Sequence, residues 1–317
     1  MFYAGAMPWH RIGTGVAEAQ TAADAMELSR TGWAVRKVPA LAPSMDGTGV
    51  VTSPDLFALQ RTDNGFILGH ATDAYEPFSN AEGFSFLDSL VQDGVMLYET
   101  AGSIRHGRMV FILARLAEDM RIAGEPWRRY VLGALGHDGG SAIRWKTTSV
   151  RVVCANTLDA AIAERGGTTF SIRHTASLHE RLREARRVFE ATTEAQRRLA
   201  EFLSRAAETR VSDAALAAVE EDLFGKVEDR GPRIATKVGA FKRILGAEVV
   251  RNDQTAYSVL NAITGYVDHV RSGDSRSRNS NEERRFEATQ FGAGVGVKAG
   301  AIKVLARETG LALLSPA

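Results

Sequence analysis

Cysteine is almost absent from this sequence, Cys154 being the only one. A lone thiol closes no disulfide within the chain and makes no zinc site by itself, and it fits a reducing compartment. Long apolar runs are missing as well. Stretches such as residues 109–114 fall far short of the roughly 20 apolar residues that a bilayer-spanning helix needs, so no membrane partner is expected. Residues 1–14 hold no basic region followed by an apolar core, so no secretory signal is expected and a cytoplasmic location is. No His-Glu-x-x-His, His-x-His, Cys-x-x-Cys or Gly-x-Ser-x-Gly spacing occurs. Metalloprotease, zinc-finger and serine-hydrolase chemistry are therefore left without a signal. No catalytic residue, metal ligand or cofactor is assigned.

What is present is ordinary for a globular chain of 317 residues: 44% hydrophobic and 24% charged, enough to bury a sizeable core. The net charge of +1 conceals a gradient, with −7 in residues 1–100, +6 in 101–190 and +2 in the remainder. A basic middle behind an acidic front suits an anion-binding module.

Turn and cap chemistry divides the chain. Residues 21–31 read as a helix with Thr21 as N-cap, Asp24 completing a capping box and Gly32 as terminator. Residues 33–41 alternate as a strand. Two further strands, 56–60 and 66–71, flank Asp63-Asn64-Gly65, a strong hairpin signal. Residues 80–92 follow as a helix with Phe84, Leu87 and Val91 on one face. Strands at 95–104 and 109–117 are joined by the basic turn Arg105-His106-Gly107-Arg108. A strand at 129–135 ends at His137-Asp138-Gly139-Gly140, and one at 143–147 pairs back across it. A helix over 149–164 and a strand over 168–173 complete the pattern. The class is thus α+β, an antiparallel sheet of one or two βββα units, placed in residues 1–175.

Residues 176–317 read as a mostly helical region. Helices are expected at 177–209, 212–223, 233–245 and 255–271, and another at 282–290 after a polar, mobile loop over 272–281. The glycine-dense stretch 292–300 is no phosphate loop, because Val297 stands before Lys298 and Ala299 offers no hydroxyl to magnesium. Close helix packing or a C-terminal turn accounts for it better. Cys154 falls within an apolar stripe and reads as a core residue.

Several stretches carry a resemblance. Pro8-Trp9-His10-Arg11-Ile12-Gly13, Ser149-Val150-Arg151-Val152-Val153-Cys154-Ala155-Asn156-Thr157-Leu158, Ile172-Arg173-His174-Thr175 and the block from Ala256 to His269 resemble, in that order, the phage/plasmid-like protein family, a domain of unknown function of bacteriophages, prophages and plasmids. The resemblance implies a mobile-element context and the cytoplasm of a bacterial host, and it brings no catalytic residue. A weaker, topological likeness links the βββα core with its basic hairpin to the Red-beta, RecT and Erf type of single-strand-annealing superfamily.

The basic residues recur at strand ends and turns: Arg105 and Arg108, then Arg128 and Arg129, then Arg144, Lys146 and Arg151, with Arg173 last. Trp127, Tyr130 and Trp145 lie among them. Single strands are held by a basic groove beside aromatic platforms. The expectation is a single-stranded DNA-binding protein, with strand annealing in recombination as its further expected role, working as a homo-oligomer through the long helix. Its candidate contacts are those arginines with Lys146 and Trp145. Three alternatives stay open. The tryptophans are core residues and the arginines surface solubilisers; the chain is a protein-interaction or host-takeover factor; or a metal-dependent nuclease site assembles from distant residues, His70, Asp73 and Glu76 being the titratable groups that lie close together in sequence.

Overall fold

The computed structural model describes residues 12–139, 144–151, 169–171, 178–271 and 293–313. Residues 8–11, Cys154, Arg173, His174 and the segments expected to be a loop at 272–281 and a helix at 282–290 lie outside them. Those described form two compact units, one within 1–117, 131–145 and 170–188, the other within 118–130, 146–169 and 189–317. The fold is α+β, as the sequence indicates.

Local chemistry sets the first helix. In α1 (Ala22–Leu28), Thr21 accepts from the Asp24 amide while the Asp24 carboxylate accepts from the Thr21 amide. Such a box offsets the unpaired amides of a helix start by about 1 kcal/mol. The helix ends at Leu28, before Gly32, with Arg30 in the left-handed region at φ 58°.

β1 (Thr14–Gly15) precedes α1, and a small sheet, β2-β3-β4, follows it. β2 (Val35–Pro43) and β3 (Val50–Arg61) pair antiparallel, with a register shift between Pro39 and Leu41. β4 (Ile67–Ala71) returns along β3 after the expected turn. There Gly65 takes φ 73° and Asn64 Oδ1 accepts from the Phe66 amide, the combination that Asn-Gly supplies without steric cost. β3 is longer than its alternation implied, because residues 50–56 are mostly exposed and show no period-2 burial.

The helix expected over 80–92 is broken into α2 (Asn80–Phe84), a 3₁₀ turn Ser85–Leu87 and α3 (Asp88–Gln92). Ser79 and Glu82 cap it reciprocally. Phe84, Leu87 and Val91 are buried as the spacing predicts. Asp88 accepts at one oxygen from the Ala22 amide and the Tyr98 hydroxyl, both at 2.7 Å, joining α1 to the larger sheet. Burial, then the Asp88 charge, lifts the Tyr98 hydroxyl well above its ordinary value.

The larger sheet runs β1-β5-β6-β8-β9-β10, with β7 paired to β8. Its further strands are β5 (Met96–Ile104), β6 (Met109–Leu116), β7 (Met120–Ile122), β8 (Glu125–Gly136), β9 (Arg144–Arg151) and β10 (Thr169–Ser171). β6 is buried along nearly its whole length, as a strand covered on both faces must be. Residues 149–151 continue β9, so the helix expected from Ser149 does not start there.

The second unit contains the helices from α4 (Leu178–Glu208, whose first residues lie in the first unit) through α5 (Asp213–Phe224), α6 (Pro232–Asn252) and α7 (Ala256–Gly265) to α8 (Ala293–Thr309). Leu199, Phe202, Leu203, Phe241, Tyr257, Leu260, Ile263, Ile302 and Leu305 share its core with Trp127. α7 is buried throughout and runs on into a π-helical turn, Tyr266–Val270. From Ala293 the glycine-dense stretch belongs to α8, where a β-carbon on Gly300 would stand 3.3 Å from Asp222 Oδ2 and one on Gly296 would meet nothing within 4 Å.

Candidate functional site

One open cleft of about 520 Å³ stands out in the first unit. Its charged lining is Arg105, Arg108, Arg144 and Asp138, joined by His70; Ile67, Leu68, Gly69 and Met109 complete it. Three guanidinium groups against one carboxylate leave an excess of two positive charges.

Each arginine arrives from a different strand end. Arg105 and Arg108 bracket the β5–β6 connection, and Arg144 opens β9. The connection is unusual in its backbone: Arg105, His106 and Gly107 take φ of 54°, 60° and 94° in succession. Left-handed backbone at a residue with a β-carbon costs on the order of 1–2 kcal/mol. Something must hold two such residues in place, and Arg61 does so. Its Nη1 donates to the His106 carbonyl at 3.1 Å, while Nε and Nη2 donate to the two Asp63 oxygens at 2.9 and 2.7 Å. The guanidinium lies over the Trp33 ring, 4.2 Å from its centroid. These hydrogen bonds from Arg61 hold the Asp63 carboxyl below its ordinary value. Gly107 is required here, because a β-carbon would fall 2.8 Å from Arg61 Nη1 and 2.9 Å from Trp33 Cζ2.

The opposite wall is β4. It approaches the chain after β8 so closely that Gly69 and Gly139 face backbone rather than side chains, Gly69 against Asp138 and Gly139 against His70. His137, next to Asp138, is buried and donates from Nε2 to Asn80 Oδ1 at 2.6 Å. That direction follows because Asn80 Nδ2 already donates to the Thr31 and Trp33 carbonyls. A proton therefore sits on Nε2, and Nδ1 has no hydrogen-bond partner among the described residues. Burial pulls the imidazole pKa down to about 4; Asp138 opposes this and Arg61 adds to it.

Of the residues singled out in the sequence, Arg105, Arg108 and Arg144 are brought together and exposed. Arg128, Arg129, Lys146 and Arg151 belong to the second unit. Arg128 and Arg129 are half-buried there, and Arg129 donates to the Glu118 carbonyl at 2.8 Å and pairs with its carboxylate. Lys146 is only 5% exposed. Arg173 lies outside the described residues. The aromatic platforms are corrected outright: Trp127, Tyr130 and Trp145 are all 0% exposed. Trp145 sits edge-on to Phe84 and Phe86, with centroids 5.7 and 4.6 Å away, and its ring fills the space left by Gly133. Trp127 donates to the Tyr257 hydroxyl at 3.2 Å, which in turn donates to Glu125. A sealed ring has no face to offer a ligand, so the core alternative holds for both tryptophans, and Tyr130 is core as well.

Sequence reasoning overlooked Arg61 and the cleft role of Asp138, and it grouped His70 with Asp73 and Glu76. Among the described residues no group of His, Cys, Asp and Glu side chains is placed to hold a metal ion, and no helix is long and apolar enough to cross a membrane.

The model of a family described as a domain of unknown function, DUF932, matches residues 67–290. The chain belongs to the DUF932 family. No curated protein and no solved structure matches it. The DUF932 span opens on Ile67, the first residue of β4, and takes in every residue that lines the cleft. α1, β2 and β3 lie before it.

Proposed function

We propose that this chain is a single-stranded DNA-binding protein of a phage or plasmid, holding the strand's phosphates on Arg105, Arg108 and Arg144. The observation that carries this reading is the convergence of those guanidinium groups, from separate strand ends, on one open cleft with excess positive charge. Guanidinium forks match phosphate oxygens in geometry as well as charge. The sequence resemblance to phage/plasmid-like proteins supplies the mobile-element context. Strand annealing suits such a site, because neutralised phosphates repel less while the bases stay available for pairing.

Titration of the full chain with a labelled oligonucleotide tests the reading. Binding is expected at low salt and is expected to weaken as salt rises. Three neutralised phosphates on a single strand give a slope of roughly −2 in log K against log salt. Absent or salt-insensitive binding at about 50 mM salt overturns the proposal. Accelerated pairing of complementary strands, together with rings or filaments in electron micrographs, tests the annealing step.

A second reading has its own support. The far part of the β2–β3 hairpin exposes Leu41 at 67% and Val50 at 65%, with Met45 and Val51 nearby, and exposed apolar patches of this kind mark protein contacts. A host-directed interaction factor would use this arm. A complex that survives nuclease treatment and is lost on Leu41→Asp supports that reading.

A further inference from the structure

The cleft has an aromatic feature that the buried tryptophans do not supply. Phe66 stands between the β3–β4 turn and β4, next to Ile67 of the cleft lining, and keeps 38% of its surface exposed. His106 is exposed on the β5–β6 connection, next to Arg105. The two rings meet across the gap between the hairpins, with centroids 5.5 Å apart and planes inclined at 39°. Their meeting is built in: the Arg61 contact to the His106 carbonyl and the Arg61–Asp63 fork tie the two turns together.

We propose that Phe66 and His106 form a base-stacking platform at the rim of the cleft, so that an unpaired nucleobase lies on the rings while the adjoining phosphates rest on Arg105, Arg108 and Arg144. The inference deepens the single-strand reading and rests on it. Charge decides the occupant: an apolar ligand has no use for three guanidinium groups, and a bare phosphate has none for an exposed phenyl ring. A nucleotide uses both. Only an unpaired base has a free face, since in a duplex both faces are covered by neighbouring pairs, so the platform favours single strands over double. Stacking on aromatic rings is tolerant of sequence, because every base has a π-face.

The experiment is a fluorescence-anisotropy titration of the full chain at low salt with an oligothymidylate and with an abasic strand of equal length. Wild type is expected to bind the oligothymidylate about 5- to 100-fold more tightly than the abasic strand. Phe66→Leu and His106→Ala are expected to reduce that ratio towards one without changing the abasic affinity. Phe66→Trp, which keeps a ring, is expected to preserve it. Arg144→Gln is expected to weaken both strands alike. Equal wild-type affinity for the two strands overturns the platform and leaves phosphate binding standing. So does a Phe66→Leu variant that keeps the full ratio. If wild type binds neither strand, the single-strand reading itself fails and the platform fails with it.

Discussion

The β-carbon that Gly69 lacks would fall 2.7 Å from the Cα of Asp138. What it would meet is backbone, so no flexible side-chain end can swing away. Gly139 faces the His70 carbonyl in the same manner, at φ 86°. Gly69→Ala is expected to cost about 1–3 kcal/mol by overpacking. Gly139→Ala is expected to cost more, since its left-handed backbone adds on the order of 1–2 kcal/mol. Gly15→Ala, with nothing within 4 Å, is the matched control and should stay within about 0.5 kcal/mol of wild type. Urea unfolding of the three variants measures this, and equal midpoints for Gly69→Ala and Gly15→Ala would refute the close approach.

His137 makes stability depend on pH in a defined window. Its imidazole is held neutral in the fold with a pKa of about 4, against an ordinary value near 6.5. Below about 6.5 the unfolded chain takes up a proton that the native chain refuses, so stability falls as pH falls. By pH 4 the loss from this residue is on the order of 3 kcal/mol, and it is absent above about pH 7. His137→Gln keeps a donor towards Asn80 and removes the titration. Its unfolding free energy is expected to be flatter than that of wild type between about pH 4 and 6.5. Parallel curves for the two proteins over that range would exclude the assignment.

What the sequence disclosed and what it withheld divide along the range of the interaction responsible. The Thr21–Asp24 box and the Asn64-Gly65 turn are contacts within a few residues, and both are where they were read; the Ser79–Glu82 box is equally local but was not read. The cleft arginines were legible for the same reason: strand ends and tight turns project side chains outward. The fate of the tryptophans was not. An indole between arginines reads equally well as a platform or as core, and the choice is made by Gly133, twelve residues before Trp145 in sequence but beneath its ring. Arg128 and Arg129 illustrate the same limit. β8 passes from one compact unit into the other, and neither alternation nor spacing marks that crossing.

Arg61 lies outside the cleft lining yet should govern how well the cleft works. Its guanidinium holds the His106 carbonyl, the Asp63 carboxylate and the Trp33 ring at once. Loss of these charge-assisted contacts in Arg61→Met is expected to cost about 2 kcal/mol of stability. It should also free the left-handed turn that carries Arg105, and thereby weaken oligonucleotide binding several-fold. Because Arg61 touches no phosphate in the proposed complex, the salt slope should keep its wild-type value. In Arg144→Gln the slope should instead shrink by roughly 0.7. A reduced slope in Arg61→Met would make Arg61 a direct phosphate contact rather than a positioning residue.

Lys298 and Asp268 form a buried ion pair in the helical unit, 2.8 Å apart with side chains 2% and 6% exposed. The lysine comes from α8, the glycine-dense helix, and the aspartate from the π-helical turn after α7. Both charges have given up hydration, so the pair is worth far less than either partner left alone costs. Lys298→Met removes the ammonium partner of a buried carboxylate and is expected to destabilise by about 3–5 kcal/mol. Combining it with Asp268→Leu replaces two charges by apolar groups of comparable size and is expected to recover most of that loss. A double-mutant cycle in urea reads the difference directly. Additive losses would mean that the two side chains do not compensate each other, because only mutual neutralisation makes the second substitution rescue the first.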